Sequence, residues 1–333
     1  MSAIKNRYEL VFLLEARQCN YNGDPDMDNL PRIDFQTNRG FMTDVCLKRR
    51  IRDYIADTCH GREGFDIFVR NGQNLNKSIA ECVIAASDGE AMVGKKSEEA
   101  SEVAKRKFYD VRTFGGVMST GLNAGQVQGA VQFSMPQSYD EVQCQSATLT
   151  RLAYADGKFT ELSEYDKLDK SMDDDKKRTM GKKSFCSYAL FECRAFVSAN
   201  LAQKNGFSEE DLDLLLEAIL NMYEYKTSAS KAGMSVVGPV IIFQHVGHAG
   251  NNSPDNQARE ALLGCAPAQK LFALLSVNKK SDVMYPRSYQ DYEAVINTSG
   301  LPAGIRVGFK YNAFDVIKWD HIDSKQNEWL KEQ

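Results

Sequence analysis

The sequence predicts an α+β fold whose core elements follow the order strand, helix, strand, strand, helix, strand. A continuous apolar run, Tyr8–Leu14, and two strongly amphipathic helical segments carry this prediction. Two polar stretches between the core elements are much longer than ordinary connections, which span about 4–6 residues. The 333 residues are therefore enough for one large core with two large insertions.

The first strand and the first helix are the most clearly defined elements. Tyr8–Leu14 has the length and composition of a buried strand. Thr43–Cys59 is predicted to be a helix because its apolar side chains recur with the 3.6-residue period of one helical face. The members of this stripe are Leu47, Ile51, Tyr54, Ile55 and Thr58.

The later elements follow from the same kinds of pattern. A second helix is predicted after Ser208, which suits the N-cap position and precedes several acidic residues. Its stripe comprises Leu212, Leu215, Leu216, Ile219 and Tyr223. Strands are predicted at Glu81–Ser87, Ala130–Phe133, Tyr188–Leu201, Val236–Val246, Lys270–Val277 and Ile305–Tyr311. With Glu81–Ser87 assigned to an insertion, the core has the βαββαβ order of a ferredoxin-like domain.

This order divides the chain into six segments. The core occupies residues 1–60, 128–134 and 187–277, the insertions occupy 61–127 and 135–186, and a C-terminal extension occupies 278–333. Residues 143–183, in the second insertion, hold nine Lys/Arg and eight Asp/Glu and few core-forming side chains. This composition favours a hairpin or a partly disordered excursion over a packed core.

The composition excludes several classes of protein. A net charge of −4 gives no global attraction to nucleic acid or to an anionic membrane, so any nucleic-acid contact must come from a local patch. The eight cysteines include no CxxC pair, unlike zinc sites and secreted disulfide scaffolds. No signal-peptide core is apparent, and no apolar run approaches the ~18 residues of a membrane span. We expect a cytoplasmic protein with no cofactor and no membrane partner.

A local basic patch is predicted on the first helix. The loop before it is rich in Asn, Gly, Asp and Pro, and the helix carries Lys48, Arg49 and Arg52. Cations on successive helical turns suit the binding of a nucleic-acid backbone without regard to its sequence. The alternative is an ordinary solvated helix face, on which Arg49 pairs with Asp53 at i+4.

Three stretches of the chain resemble the repeated backbone subunit of type I-C CRISPR surveillance complexes (Cascade), a member of the RAMP superfamily. They are NYNGDPDMDNLPRID…TDVCLKRRIRDYI (20–55), FYDVRTFGGVMSTGLNAGQVQGAVQFS (108–134) and RTMGKKSFCSYALFECRAFVSANLAQKNGFSEEDLDLLLEAILNMYEYKTSA (178–229). Tyr21 departs from the family's Asn-Pro-Asn-Gly-Asp-Pro string. This departure is expected to leave the loop slightly less rigid.

The resemblance implies a non-catalytic protein that binds CRISPR RNA. An RRM-like palm would bear a finger at residues 61–127 and a thumb at residues 135–186. Copies would line the guide head to tail, with the thumb of one copy interrupting base stacking at its neighbour, while target DNA pairs with the exposed guide bases. The other implied partners are a capping subunit at the 5′ handle, a large subunit and a small subunit.

The resemblance also implies which residues contact the RNA. They are Asn22, Arg32, Thr43, Lys48, Arg49, Arg52, Arg112, Ser119, Thr120 and Asn123, with Met180, Lys182 and Lys183 as the thumb residues that interrupt stacking. Structural interpretations stay open, since Thr43 suits a helix cap and Asn22-Gly23 suits a tight turn. Arginines beside loops, such as Arg32 and Arg112, are also as often structural. The five glycines between positions 115 and 129 would either let the backbone approach a ligand or form a mobile surface loop.

Metal-dependent RNA cleavage is the main enzymatic alternative. Related type III backbone subunits cut RNA with an aspartate in the loop after the first strand. That loop here carries Asp24, Asp26, Asp28 and Asp34. The plainer interpretation is that these aspartates form turns. An EF-hand is disfavoured, because Asn29 and Phe35 replace its glycine and its bidentate glutamate.

Two further motifs resemble enzymatic sites only weakly. Gly89–Lys95 resembles a phosphate-binding loop, but Lys96 replaces the Ser or Thr that coordinates magnesium. His245 and His248 lack the glutamate and the third ligand of a zinc enzyme. The sequence therefore predicts neither catalysis nor a bound metal.

Overall fold

The computed structural model describes residues 2–87, 97–248 and 253–319. Within these ranges the strands are β1 Tyr8–Cys19, β2 Gly23–Asp24, β3 Leu30–Pro31, β4 Arg39–Phe41, β5 Gly115–Val117, β6 Gln126–Gln128, β7 Val131–Phe133, β8 Gln137–Glu141, β9 Cys144–Arg151, β10 Thr179–Val197, β11 Met234–His245, β12 Leu275–Lys279, β13 Tyr292–Ile296, β14 Ile305–Lys310 and β15 Lys318–Trp319. The α-helices are α1 Asp44–Thr58, α2 Leu75–Ala86, α3 Ser97–Lys107, α4 Tyr109–Phe114, α5 Leu162–Ser171, α6 Ala199–Asn205, α7 Glu209–Asn221, α8 Pro254–Leu263 and α9 Ala268–Phe272. None of these helices has the length and apolar character needed to cross a membrane.

The molecule is a mixed α/β fold built on an antiparallel sheet. The sheet runs β15-β14-β11-β1-β10-β8-β4, and β7 and β9 also pair with β10. β1 is central, because it pairs with β10 on one side and with β11 on the other. The four predicted core strands correspond, in chain order, to β1, β7, β10 and β11. Their order in the sheet is β11-β1-β10-β7, so the first core strand lies between the fourth and the third, and the second lies beyond the third.

The two faces of the sheet contact different cores. Leu10 and Phe12 of β1 belong to a core shared with the apolar faces of α1 and α7. Val11 and Leu13 point the other way, because successive strand residues alternate between faces, and they pack against C-terminal elements. The apolar run of β1 is continuous because both of its faces are buried.

The C-terminal elements cover the second face. Alternate residues of β13, Tyr292, Ala294 and Ile296, enter this core together with α9 and β14. The strand predicted at Lys270–Val277 is wrong in its first half, since one helical turn, α9, carries Leu271 and Phe272 into the core before β12 begins. The strand predicted at Ile305–Tyr311 is confirmed as β14.

Both predicted helices of the core are confirmed. Thr43 caps α1, with its side chain accepting from the backbone N–H of Cys46. Ser208 caps α7 in a capping box with Asp211. The reciprocal hydrogen bonds of such a box satisfy two otherwise unpaired donors, which explains why α7 begins at Glu209.

The first insertion contains a small helical cluster, residues 68–127, with a core of its own. A strand was expected at Glu81–Ser87, but α2 passes through this segment. Ile79, Cys82 and Val83 recur at i, i+3 and i+4 and pack against Ala100 of α3 and other residues of this cluster. The strand prediction is wrong because the apolar period of this segment is helical.

The second insertion forms a hairpin, which is one of the two structures that its composition favours. β9 and the first half of β10 pair from Cys144↔Cys186 to Arg151↔Thr179, and α5 lies between them in sequence. β10 therefore begins at Thr179 rather than at Tyr188, and it ends at Val197, because Ser198 caps α6. One uninterrupted strand joins the hairpin to the sheet.

Candidate nucleic-acid interface

Three segments meet where β1 ends and β10 leaves the sheet. Residues 20–31, 182–186 and 226–233 are called the loop junction here. The N–H of Asn20 donates to the Ser230 carbonyl at 2.9 Å, and Nζ of Lys183 donates to the Ala229 carbonyl at 3.0 Å. Both faces of the sheet are covered, so an end of the sheet such as this one is a place where a ligand could reach its strands.

Tyr21 anchors the first loop in the core. Its side chain is fully buried, its ring lies edge-on to Phe191 at 4.8 Å, and its hydroxyl donates to the Arg32 carbonyl at 2.7 Å. The lower rigidity expected from a tyrosine in place of proline stays a prediction. The Tyr21 side chain nevertheless joins the start of the loop to Arg32 and to the core.

Asn22 and Thr43 fasten this loop to the start of α1. Oδ1 of Asn22 accepts from the backbone N–H of Thr43 at 2.9 Å and from its hydroxyl at 3.1 Å. Thr43 Oγ1 in turn accepts from the Cys46 N–H at 3.3 Å. Both side chains therefore stabilise the start of α1. Of their polar groups, Asn22 Nδ2 is the one that could donate to a ligand.

Three of the four aspartates of the loop have separate partners. Asp24 accepts from Nη1 of Arg32 at 2.9 Å and also caps a short 3₁₀ helix. Asp34 accepts from the backbone N–H of Gln36 at 2.8 Å, and Asp28 pairs with Lys182. Across residues 2–87, 97–248 and 253–319, no group of three or more His, Cys, Asp or Glu residues is arranged to hold a metal ion.

Lys48 and Arg49, two of the predicted cations of α1, pair with carboxylates on their own helix. Nζ of Lys48 lies 2.9 Å from Asp44 Oδ2, and Arg49 makes a two-pronged pair with Asp53 at 2.5 and 3.1 Å. These are i, i+4 pairs of the kind that contribute only about 0.3–0.5 kcal/mol. A phosphate could replace such partners at little cost.

Arg52 and Arg112 are instead held inside the protein. Nε of Arg52 donates to Asp110 at 2.8 Å, and the same carboxylate accepts from the N–H groups of Phe68 and Val69. Arg112 is bound to Asp211 through two hydrogen bonds. The structure therefore brings neither arginine to the loop junction, although the sequence places both among the RNA contacts.

Ser119, Thr120 and Asn123 lie in the exposed turn between β5 and β6, on the helical cluster. Thr120 Oγ1 donates to Asn76 Oδ1 at 2.9 Å.

The backbone at Gly129, one of the nearby glycines, packs directly against the backbone of Phe114 and Gly115. A Cβ on Gly129 would lie 2.1 Å from the Phe114 carbonyl carbon and 2.3 Å from the nitrogen of Gly115, so this close backbone crossing requires glycine.

The three predicted thumb residues occupy two faces of the β9–β10 hairpin. Met180 is opposite Thr150, and Lys182 is opposite Thr148, whereas Lys183 is opposite Ala147. Directly opposed residues share a face and successive residues alternate. Met180 and Lys182 therefore share one face, and Lys183 lies on the other. Met180 is 78% exposed.

The two lysines hold the root of the hairpin from both sides. Nζ of Lys182 lies 3.0 Å from Asp28 Oδ2 in the first loop, and Lys183 donates to the carbonyl of Ala229 on the opposite face. The hairpin therefore leaves the sheet between two loops of the junction.

Two further cations near the junction are absent from the sequence-based set. The guanidinium carbon of Arg50 lies 5.7 Å from the centre of the Tyr223 ring. Nζ of Lys231 donates to the Tyr21 carbonyl, and burial lowers the pKa of this lysine. The segment after α7 has Lys226 and Lys231 among small and polar residues, and this is the sequence pattern by which Lys231 could be found.

The two histidines do not converge on a shared site. His245 is fully buried, with Nε2 2.6 Å from Glu9 Oε2, and Nδ1 of His248 lies 2.9 Å from Glu260 Oε2. Each imidazole thus has its own glutamate. Gly89–Lys95, the segment that resembles a phosphate-binding loop, lies outside the described residues.

Comparison with known proteins points to a CRISPR-associated family. A CRISPR-associated protein Cas7 from Haloferax volcanii is 34% identical over 161 residues, which are 41% of this chain and 44% of that protein. This alignment thus spans less than half of the relative.

Two solved chains from CRISPR RNA-guided surveillance complexes share a distant likeness. The first, from a pre-nicking complex, has a TM-score of 0.46 and 16% identity, covering 78% of this chain and 84% of that one. The second has a TM-score of 0.40 and 15% identity, with coverages of 78% and 77%. The profile of the CRISPR-associated protein Cas7 family matches residues 6–297, and the chain therefore belongs to this family.

Proposed function

We propose that this chain is the non-catalytic backbone subunit of a type I-C CRISPR surveillance complex and that it holds the CRISPR RNA by its sugar–phosphate backbone. The observation that carries the proposal is the loop junction, where Lys182, Lys183 and Lys231 lie beside a sheet covered on both faces. Family membership over residues 6–297 supports it.

The strand order supports an RRM-like palm. β11-β1-β10-β7, with α1 and α7 on one face, is the arrangement that a ferredoxin-like βαββαβ chain would adopt. On this proposal, residues 61–127 are the finger and residues 135–186 are the thumb. The open sheet face on which RRM domains stack bases is covered here, so the RNA would follow the junction instead.

The start of α1 would bind phosphates. Lys48 and Arg49 pair with i, i+4 carboxylates, and Lys48 also donates to Gln132 Oε1 at 3.4 Å. RNA phosphates would replace the two carboxylates. Asn22 Nδ2 would donate to a phosphate or to a 2′-hydroxyl beside them. Such contacts do not depend on the base, so any guide sequence would be accepted.

The exposed face of the hairpin would interrupt the bases. Met180 and Lys182 share this face with the hydroxyls of Thr148 and Thr150. An apolar wedge costs a few kcal/mol of base unstacking, which must be offset by additional contacts. Lys182 and the hydroxyls would supply contacts with phosphate and ribose next to the Met180 wedge.

Copies of the chain would then line the guide head to tail, each thumb reaching the next copy. Target DNA would pair with the guide bases left exposed, so that base pairing reads the sequence while the protein reads the backbone. The 5′-handle capping subunit, the large subunit and the small subunit would complete the assembly.

The proposal is tested by RNA binding across a salt series. The double variant Lys48→Ala, Arg49→Ala should bind any single-stranded guide more weakly, and its plot of log affinity against log salt should flatten by about 0.7 for each lost phosphate contact. Lys176→Ala is a matched control, because this 73%-exposed lysine forms a comparable short-range pair with Asp173. Equal affinity and slope for the double variant and the wild-type chain would refute the α1 contacts.

A separate assay addresses metal-dependent RNA cleavage. The guide-loaded assembly is incubated with labelled complementary RNA and Mg²⁺ or Mn²⁺. We expect the RNA to remain intact. Cleavage at regular intervals that Asp24→Ala or Asp34→Ala abolishes would instead establish the nuclease hypothesis.

A further inference from the structure

Three cysteines lie side by side across three neighbouring strands at the loop junction. Cys19 at the end of β1 is opposite Cys186 of β10, and Cys186 is opposite Cys144 of β9. All three are free thiols. Their spacing in sequence gives no hint of this row, because three distant strands supply one cysteine each.

The register places Cys19 and Cys186 within reach of a disulfide. Directly opposed residues of antiparallel strands have Cα atoms about 4.5–5.5 Å apart, and disulfides span about 4.4–6.8 Å between Cα atoms. Both side chains belong to the core on the helix-bearing face of the sheet, so they project from the same side.

The contacts of the third cysteine distinguish between the two possible pairs. Sγ of Cys144 donates to the Pro31 carbonyl at 3.7 Å, so this thiol already has a partner. The neighbouring Cys186 thiol lowers the pKa of Cys19, whereas the neighbouring Cys19 and burial raise the pKa of Cys186. The positive charges of Lys231 and Lys183 also favour a thiolate at Cys19. Cys19 is thus the nucleophile of the pair.

We propose that Cys19 and Cys186 are a redox-modification site, at which a peroxide converts the two thiols into a reversible cross-strand disulfide. The Cys19 thiolate attacks one peroxide oxygen, the O–O bond breaks, and a sulfenic acid forms with release of one water. The sulfur of Cys186 then displaces the sulfenic hydroxyl as a second water. Two thiols and one hydrogen peroxide thus give one disulfide and two waters.

The location gives this bond a structural consequence. Cys19 immediately precedes the first loop, and Cys186 is the residue at which β10 passes from the sheet into the hairpin. A disulfide would join the base of the loop covalently to the root of the hairpin. Reduction by a cellular thiol such as glutathione would release them again. This inference rests on the strand register and holds whether or not the junction binds RNA.

Peptide mapping of the full-length wild-type chain tests the site directly. Reduced protein is treated with hydrogen peroxide, free thiols are alkylated in denaturant, and the digest is analysed by mass spectrometry without reduction. We expect one cross-linked peptide pair containing Cys19 and Cys186, which dithiothreitol separates. Recovery of both cysteines in alkylated form, or a Cys144–Cys186 link in place of the expected one, would overturn the proposal.

Two variants provide matched controls. Cys82→Ser removes a buried cysteine from the helical cluster and should leave the cross-link unchanged. Cys19→Ser should abolish it and leave Cys186 alkylated. Because the central measurement uses the wild-type chain, a folding defect in Cys19→Ser would not prevent a decision.

Discussion

Arg112 of α4 and Asp211 in the first turn of α7 form a two-pronged ion pair between buried side chains. Nη2–Oδ1 is 2.7 Å and Nε–Oδ2 is 3.1 Å. Arg112 also donates to the Gly64 carbonyl, and Asp211 closes the capping box of Ser208. The pair therefore links the helical cluster to the main core and fixes the start of α7 at the same time.

Loss of Arg112 should reduce stability strongly. Arg112→Ala leaves the Asp211 carboxylate buried without its cation, and breaking a buried pair in this way costs about 3–5 kcal/mol. Urea unfolding measures the change. Arg70→Ala is the control, because its partner Asp66 is 40% exposed and such pairs contribute about 0–1 kcal/mol. If Arg112→Ala were as stable as the wild-type chain but bound RNA more weakly, Arg112 would be an RNA contact and not a structural residue.

Arg52 and Arg49 should differ in the same way on a single helix. Arg52→Ala removes the partner of Asp110, which is 1% exposed, and should lower the free energy of unfolding by about 3–5 kcal/mol. Arg49→Ala removes a partly exposed i, i+4 pair and should cost no more than about 1 kcal/mol. Thermal and urea unfolding of the two variants under identical conditions make the comparison. Equal stabilities would contradict the structural assignment of Arg52.

Two glycines offer a test of backbone packing. In Gly129→Ala the new Cβ meets backbone atoms of Phe114 and Gly115 that cannot move independently, so we expect a loss of at least about 1–3 kcal/mol from overpacking. In Gly181→Ala the Cβ meets nothing within 4 Å, and stability should stay unchanged or rise by up to about 1 kcal/mol. Calorimetry of the two proteins would refute this if both lost stability equally.

The two faces of the hairpin should contribute unequally to RNA binding. Lys182→Ala removes a charge from the face that carries Met180, and it should weaken binding and reduce the salt slope by about 0.7. Lys183→Ala removes the same charge from the opposite face and should leave the slope unchanged. Fluorescence anisotropy with a labelled guide at several salt concentrations compares them. A larger effect for Lys183→Ala would place the RNA on the other face.

The elements that the sequence predicts correctly are those determined by local patterns. The apolar stripe and the cap residues of α1 and α7 lie within single segments, so Thr43 and Ser208 were identifiable as caps. The i, i+4 pair of Arg49 with Asp53 was also accessible from spacing alone. In each case the partner lies within one helical turn.

Distant segments decide the features that local patterns do not show. Arg52 contacts a carboxylate 58 residues away, and Arg112 contacts one 99 residues away, so the burial of these arginines does not follow from their neighbours in sequence. Glu81–Ser87 lies in a helix because its apolar side chains continue the helical period that includes Ile79, so the strand prediction is wrong. The second face of the sheet is covered in part by α9 and β13, and the sequence predicts neither of these two elements.

Because β10 is one continuous strand, its first half projects from the sheet and is attached to it at one end. The eight residues Thr179–Cys186 extend about 25 Å from the sheet, so a tilt of about 5° at Cys186 would move Thr179 by roughly 2 Å. The position of the tip therefore depends on how firmly these residues are held, and Lys182 and Lys183 hold them at mid-length from opposite faces. If copies assemble as proposed, the contacts of Lys182 and Lys183 would determine where each thumb meets the next copy and thereby the pitch of the filament.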